Sequence, residues 1–156
     1  MKKTLIIIIF LLSFSNNAQT IKSIYDDGLY FEPGMYYKDV HNDMDRFLGT
    51  WVYENGNRKL TIVLQKRLHT YIEPPFDCYV DEVIGGYKYE IDNNVIVNTI
   101  PDIDFSKPRH GNTISGSGIV SNQYPPVCTN CPINDKRLDI HWKEPLAPYL
   151  VGHLMI

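Results

Sequence analysis

From Gly49 onward the chain is a succession of short apolar runs cut apart by turn chemistry, and no stretch carries the 3.6-residue period of an amphipathic helix. Such a chain can bury its apolar side chains only by pairing one run with another into a sheet. Asn55-Gly56 follows the run Gly49 to Tyr53 and reads as a type I′ hairpin turn, from which Lys59 to Tyr71 returns antiparallel. In that return Leu60, Ile62, Leu64 and Leu68 are expected on one face. Pro74-Pro75 ends it, Cys78 to Ile91 forms the next run, and Asp92-Asn93-Asn94 turns the chain into Val95 to Ile100. Gly85-Gly86 inside the long run marks a bulge or a close backbone approach. Thr113 to Val120 alternates small residues suited to a curved strand. Leu138, Ile140 and Trp142 then face Asp139, His141 and Lys143 in the cleanest period of two in the chain. Tyr149 to Ile156 is strand-like, with no turn or polar cap after it. The expected fold is all-β, an antiparallel meander of about seven strands curling into a barrel or half-barrel, in which Tyr149 to Ile156 is either the edge of the sheet or the sign of a missing final strand.

Composition agrees. Eleven Tyr, ten Gly and ten Pro in 156 residues favour strands and turns, and the length is that of one domain. Fifteen basic residues against 18 acidic ones leave no electrostatic footprint for nucleic acid or an anionic membrane surface.

The first 18 residues have the parts of a secretory signal: Lys2 and Lys3, the apolar run Leu5 to Leu12, and a mostly polar approach from Ser13 to Ala18. Cleavage is expected between Ala18 and Gln19, although Asn16 stands where a small residue is preferred. A spanning helix needs about 20 predominantly apolar residues, and Ser15-Asn16-Asn17 ends this run too soon. The first cysteine is Cys78, so a lipid-anchoring cysteine is not placed at the new terminus. The chain thus divides into a signal (1–18), an extended Tyr/Asp-rich lead-in (19–45) and a β domain (46–156). It is expected to be periplasmic or extracellular. Removing Lys2 and Lys3 leaves 13 basic and 18 acidic residues, a mildly acidic mature chain.

Cys128-x-x-Cys131 is the one spacing that could carry chemistry. Structural zinc wants a second close pair of ligands, which the scattered histidines His41, His69, His110, His141 and His153 do not offer. A redox pair wants its first thiolate at a helix N-terminus, whereas Pro125-Pro126 precede this pair and Pro132 follows it. In an oxidising compartment the favoured reading is a disulfide, closing the short loop or tying it to Cys78; three cysteines allow three single pairings. Asp102-x-Asp104-x-Ser106 lacks the glycine and distal glutamate of a calcium loop. Asp81-Glu82 are neighbours on a strand and point to opposite faces, so they cannot share one catalytic site. Ser115-Gly116-Ser117-Gly118 has the period of a strand, not of a nucleophile elbow. No cofactor or metal is expected. The aromatic residues Tyr25, Tyr30, Phe31, Tyr36 and Tyr37 could stack on a sugar or a peptide, and the favoured expectation is that this lead-in packs over the barrel mouth.

The segment Asp43 to Trp51, with Phe47-x-Gly49-x-Trp51, resembles the first-strand motif of lipocalin and wider calycin barrels. That resemblance implies a lipocalin-like barrel or half-barrel and structural roles for Gly49 and Trp51, the Gly allowing close approach at the closed end and the Trp plugging it. Over its whole length the chain also resembles an uncharacterised family of exported flavobacterial proteins. The features are Asn17-Ala18-Gln19-Thr20, Phe47-x-Gly49-Thr50-Trp51, Gly86-Tyr87-Lys88-Tyr89, Asn98-Thr99-Ile100-Pro101 and Cys128-Thr129-Asn130-Cys131. This second resemblance implies no activity. The sequence therefore points to a non-catalytic domain that binds a small ligand or a cell-envelope protein. Leu60, Ile62, Leu138 and Ile140 are the candidate cavity wall. The rival expectation is an interaction module with a filled core and a disulfide-stapled loop.

Overall fold

A computed structural model describes residues 19–25, 31–123, 128–147 and 150–156, and of residues 153–155 the backbone alone. The signal segment, Tyr30 and Tyr149 lie outside the described residues. Nine strands form one sheet: β1 (Ile21–Ser23), β2 (Tyr36–Lys38), β3 (Gly49–Asn55), β4 (Arg58–Ile72), β5 (Cys78–Ile91), β6 (Asn94–Asn98), β7 (Ile114–Ser121), β8 (Lys136–Lys143) and β9 (Val151–Met155). Short 3-10 turns occupy Asp45–Phe47 and Ile100–Asp102.

The trunk of the sheet is β5. One of its edges pairs with β4 from Ile72↔Cys78 to Arg58↔Ile91. The opposite edge is shared by three strands in turn: β2 at Tyr79 and Val80, β7 at Val83 to Gly85, and β6 from Lys88 to Ile91. From β4 the sheet continues to β3, and from β7 through β8 to β9. Among the described residues β3 and β9 do not pair with each other, so the sheet is all-β but open. It is also mixed rather than a purely antiparallel meander, because β1 runs parallel to β2 and β2 parallel to β5. The physical reason is the extended lead-in, which supplies two strands to the same sheet.

The central part of β5, from Val80 to Tyr87, is buried throughout, and its glycines let neighbouring chains close in. A Cβ on Gly85 would lie 2.4 Å from the Val63 carbonyl oxygen, and one on Gly86 2.6 Å from that of Thr99. The Gly85-Gly86 pair therefore marks close approach, and the irregularity sits elsewhere, between Arg67 and Thr70 on β4. His69 there has a φ of 55°, and the extra residues throw Leu68 outward, 61% exposed, off the face of Leu60 and Leu64. The first hairpin also differs from its expected form. Asn55 pairs with Arg58, leaving Gly56 and Asn57 as the turn, and only Gly56 has positive φ. A type I′ turn requires positive φ at both central residues, which Asp92 and Asn93 supply in the β5–β6 hairpin, at 50° and 62°.

Two buried carboxylates fasten the lead-in to the trunk. Asp81 accepts from the Tyr36 hydroxyl (2.6 Å), from the Asp39 amide (3.0 Å) and from the His69 amide (3.1 Å). Asp39 accepts from the amides of Asp43 (2.8 Å) and Met44 (3.0 Å) and pairs with Lys66 Nζ at 2.8 Å. Burial pulls the Asp39 carboxyl upward, but the Lys66 ammonium and the two amides outweigh it and hold it below its ordinary 3.8. The stabilisation from a lowered carboxylate is complete above the unfolded value and fades as pH falls through the folded one. Urea unfolding is therefore expected to show a steeper loss of stability below about pH 4 in the wild type than in Asp39→Asn. Matching slopes would separate Asp39 from acid sensitivity.

Candidate functional site

Leu60, Ile62 and Leu64 alternate along β4, and the register sets them opposite Tyr89, Tyr87 and Gly85 on β5. Period two then places these side chains on one face of the sheet. Ile114 on β7 pairs with Gly85, and Trp142 on β8 pairs with Ile114, which carries the same face across the trunk. Because the sheet is curled and open, this face encloses an apolar basin of about 960 Å³. Leu64, Ile114 and Ile140 form a buried floor, while Trp51, Ile96 and Leu146 form an exposed rim.

Few polar groups reach the basin. The Tyr87 hydroxyl donates to Glu144 Oε2 at 3.1 Å, and Glu144 Oε1 accepts from the Leu146 amide. Burial and the Glu144 carboxylate push the Tyr87 hydroxyl up to about 12, so it remains a proton donor at any physiological pH. Arg46 borders the basin with its guanidinium 4.7 Å above the Phe47 ring and an exposed ion pair to Asp135. This set offers orientation to a polar head.

The sequence-derived residues are distributed as follows. Leu60, Ile62 and Ile140 line the basin; Leu138 does not, being fully buried in the core beside it. Gly49 opens β3 with a φ of 113°. Trp51 does not plug a core. It is 51% exposed at the basin rim, because β3 is an edge strand of an open sheet, and its Nε1 donates to the Phe47 carbonyl at 2.9 Å. Cys128 and Cys131 form a disulfide, with Cα atoms 5.3 Å apart, and Cys78 is a free, buried thiol that burial pushes up. The buried Asn122 side chain brackets the disulfide loop, donating to both cysteine carbonyls and accepting from the Cys128 amide.

Of the scattered histidines, His41 and His69 are exposed. His110 and His141 are half-buried and meet edge to face at 4.5 Å, because the turn through Arg109 and His110 folds back beside β7 and β8. Among the described residues no three His, Cys, Asp or Glu side chains gather as a metal site. Asp81 and Glu82 do face opposite ways, the first toward Tyr36 and the second toward Arg67.

A family model of unknown function, DUF6705, matches residues 1–154. The chain belongs to DUF6705. Neither curated proteins nor solved structures give a match, so the DUF6705 basin has to be read from its own chemistry. Sequence reasoning about this DUF6705 chain missed Tyr87, Tyr89, Val97 and Trp142 as basin residues. The register of the β4–β5 hairpin, counted across from Leu60 and Ile62, is the signal that could have found Tyr87 and Tyr89.

Proposed function

We propose that this DUF6705 protein is an exported, non-catalytic carrier of a small apolar or amphipathic molecule, held in a half-open calycin-like cup. The observation that supports this most is the basin itself. Its 960 Å³ falls in the range of about 300–1,000 Å³ typical of small-molecule pockets, with apolar walls and a single Tyr87–Glu144 pair to orient a polar end. Export is supported by Lys2-Lys3 and the apolar run that follows, and by a disulfide suited to an oxidising compartment.

Both tryptophans of the chain, Trp51 and Trp142, border the basin, so the protein carries its own reporter. Titration with dodecanoate is expected to shift and saturate tryptophan emission. Ile62→Glu, which sets a carboxylate on the apolar wall, should weaken that binding by tenfold or more, about the 1.4 kcal/mol that one decade represents. An unchanged spectrum, together with native mass spectrometry showing no organic molecule on the exported protein, would sink the carrier reading. A second reading is favoured by β3, whose outer edge has no strand partner among the described residues and which exposes Trp51, Val52 and Tyr53 without Lys, Pro or a bulge to guard it. Silent fluorescence with a doubled mass in solution would favour that interaction module.

A further inference from the structure

A second cleft, of about 810 Å³, lies between the far end of β4, the turn through Pro74-Pro75 and the segment 105–110. Arg67, Lys107 and Arg109 all border it, and their charges are matched unequally. Arg67 donates through Nε to Glu82 Oε1 at 2.9 Å and through Nη1 to the carbonyls of Phe105 and Lys107. Lys107 Nζ donates to the Asp102 carbonyl. Among the described residues Arg109 donates only through Nη2, to the Ser117 hydroxyl at 3.1 Å, and its guanidinium lies 5.2 Å from the centre of the Phe31 ring. Among the described residues it has no carboxylate at ion-pair distance, and its Nε is buried without a hydrogen-bond partner. Arg67 and Arg109 thus share the field of one buried carboxylate, Glu82, whose Oε1 serves Arg67 while its Oε2 has no hydrogen-bond partner; Glu73 also borders the cleft, against the three cations Arg67, Lys107 and Arg109.

A desolvated guanidinium with a surplus charge is a docking point for an anion, since its planar fork fits a carboxylate. The rest of the lining adds a shape requirement. Tyr71, Phe76 and Phe105 border the same cleft and are each about half-exposed, at 43%, 43% and 53%. Such surfaces take the flat face of a ring. We propose that this cleft is a second binding site, for a ring-shaped organic carboxylate, with Arg109 holding the carboxylate and the three aromatic side chains the ring. It is separate from the basin, sharing no lining residue with it.

Calorimetric titration of the mature protein with benzoate, and with benzyl alcohol as the uncharged control, tests the site. Benzoate is expected to bind saturably and the alcohol not. Arg109→Met should weaken benzoate about tenfold or more, as expected for loss of a charge-assisted hydrogen bond. Phe105→Ala, an exposed change that the fold tolerates, should weaken it less, and the basin variant Ile62→Glu should leave it unchanged. Absence of saturable benzoate binding, or binding that survives Arg109→Met, would overturn the proposal. So would a ligand-free Arg109→Met protein that melts well below wild type, since the guanidinium would then be serving Glu82 and not awaiting a ligand.

Discussion

Glu82→Gln is expected to lower the free energy of unfolding by about 3–5 kcal/mol, measured by urea denaturation at neutral pH. Glu82 is fully buried and stands directly opposite Arg67 in the β4–β5 register, with Arg67 itself only 6% exposed. The substitution keeps the shape of the side chain and removes its charge. That strands the Arg67 guanidinium, which stays buried with only neutral carbonyl partners, beside a second guanidinium at Arg109. The size of the loss comes from that stranded charge and not from the attraction in the intact pair, which desolvation largely offsets. Replacing both partners by apolar residues, Arg67→Met with Glu82→Leu, should accordingly cost much less than Glu82→Gln alone. A single-mutant loss under about 1 kcal/mol would mean that water screens the pair as it does a surface one.

Leu138→Ala is expected to cost about 2–5 kcal/mol, the range for a large-to-small change in a core that cannot collapse around the gap. Leu138 is fully buried on β8, where it pairs with Ile119 of β7. Ile62→Ala removes a similar side chain from the half-buried basin wall, where the new space joins an existing concavity, so its cost should be smaller. The two variants therefore separate fold from cargo. Leu138→Ala should lower the urea midpoint while leaving dodecanoate affinity near wild type under conditions where the protein is folded; Ile62→Ala should do the reverse. Equal midpoints would show that the core around Leu138 closes over the missing atoms.

Strand positions were legible because period two and turn residues are local signals. The run Leu138, Ile140 and Trp142 announced β8 and its inner face, and Asp92-Asn93-Asn94 announced the β5–β6 hairpin. What stayed hidden depended on contacts between distant residues. The parallel pairing of β1, β2 and β5 could not be read, since Tyr36 and Tyr37 meet Tyr79 and Val80 with no turn to link them. Leu68 was misplaced because a bulge after Arg67 shifts the alternation, and no glycine or proline marks it. Leu138 and Ile140 share a face by period, yet only the second reaches the basin, which is decided by where the sheet curls. The cation cluster of the second cleft escaped notice because Arg67 and Arg109 are far apart in the chain and each, taken alone, reads as a surface charge.

The way β5 divides one edge among three partners has a mechanical consequence. Trp51 and Ile62 belong to one leaf of the molecule, made of β3 to β6, which neighbours in sequence zip together. Ile140 and Trp142 belong to another leaf, β7 to β9. The backbone seam between the leaves is three residue pairs long, from Val83↔Gly116 to Gly85↔Ile114. So short a ladder leaves the union of the leaves to side chains, Leu64 and Val83 of one sharing a single buried core with Ile114, Leu138 and Ile140 of the other. The placement of one leaf against the other is therefore set more by side-chain packing than by a backbone ladder.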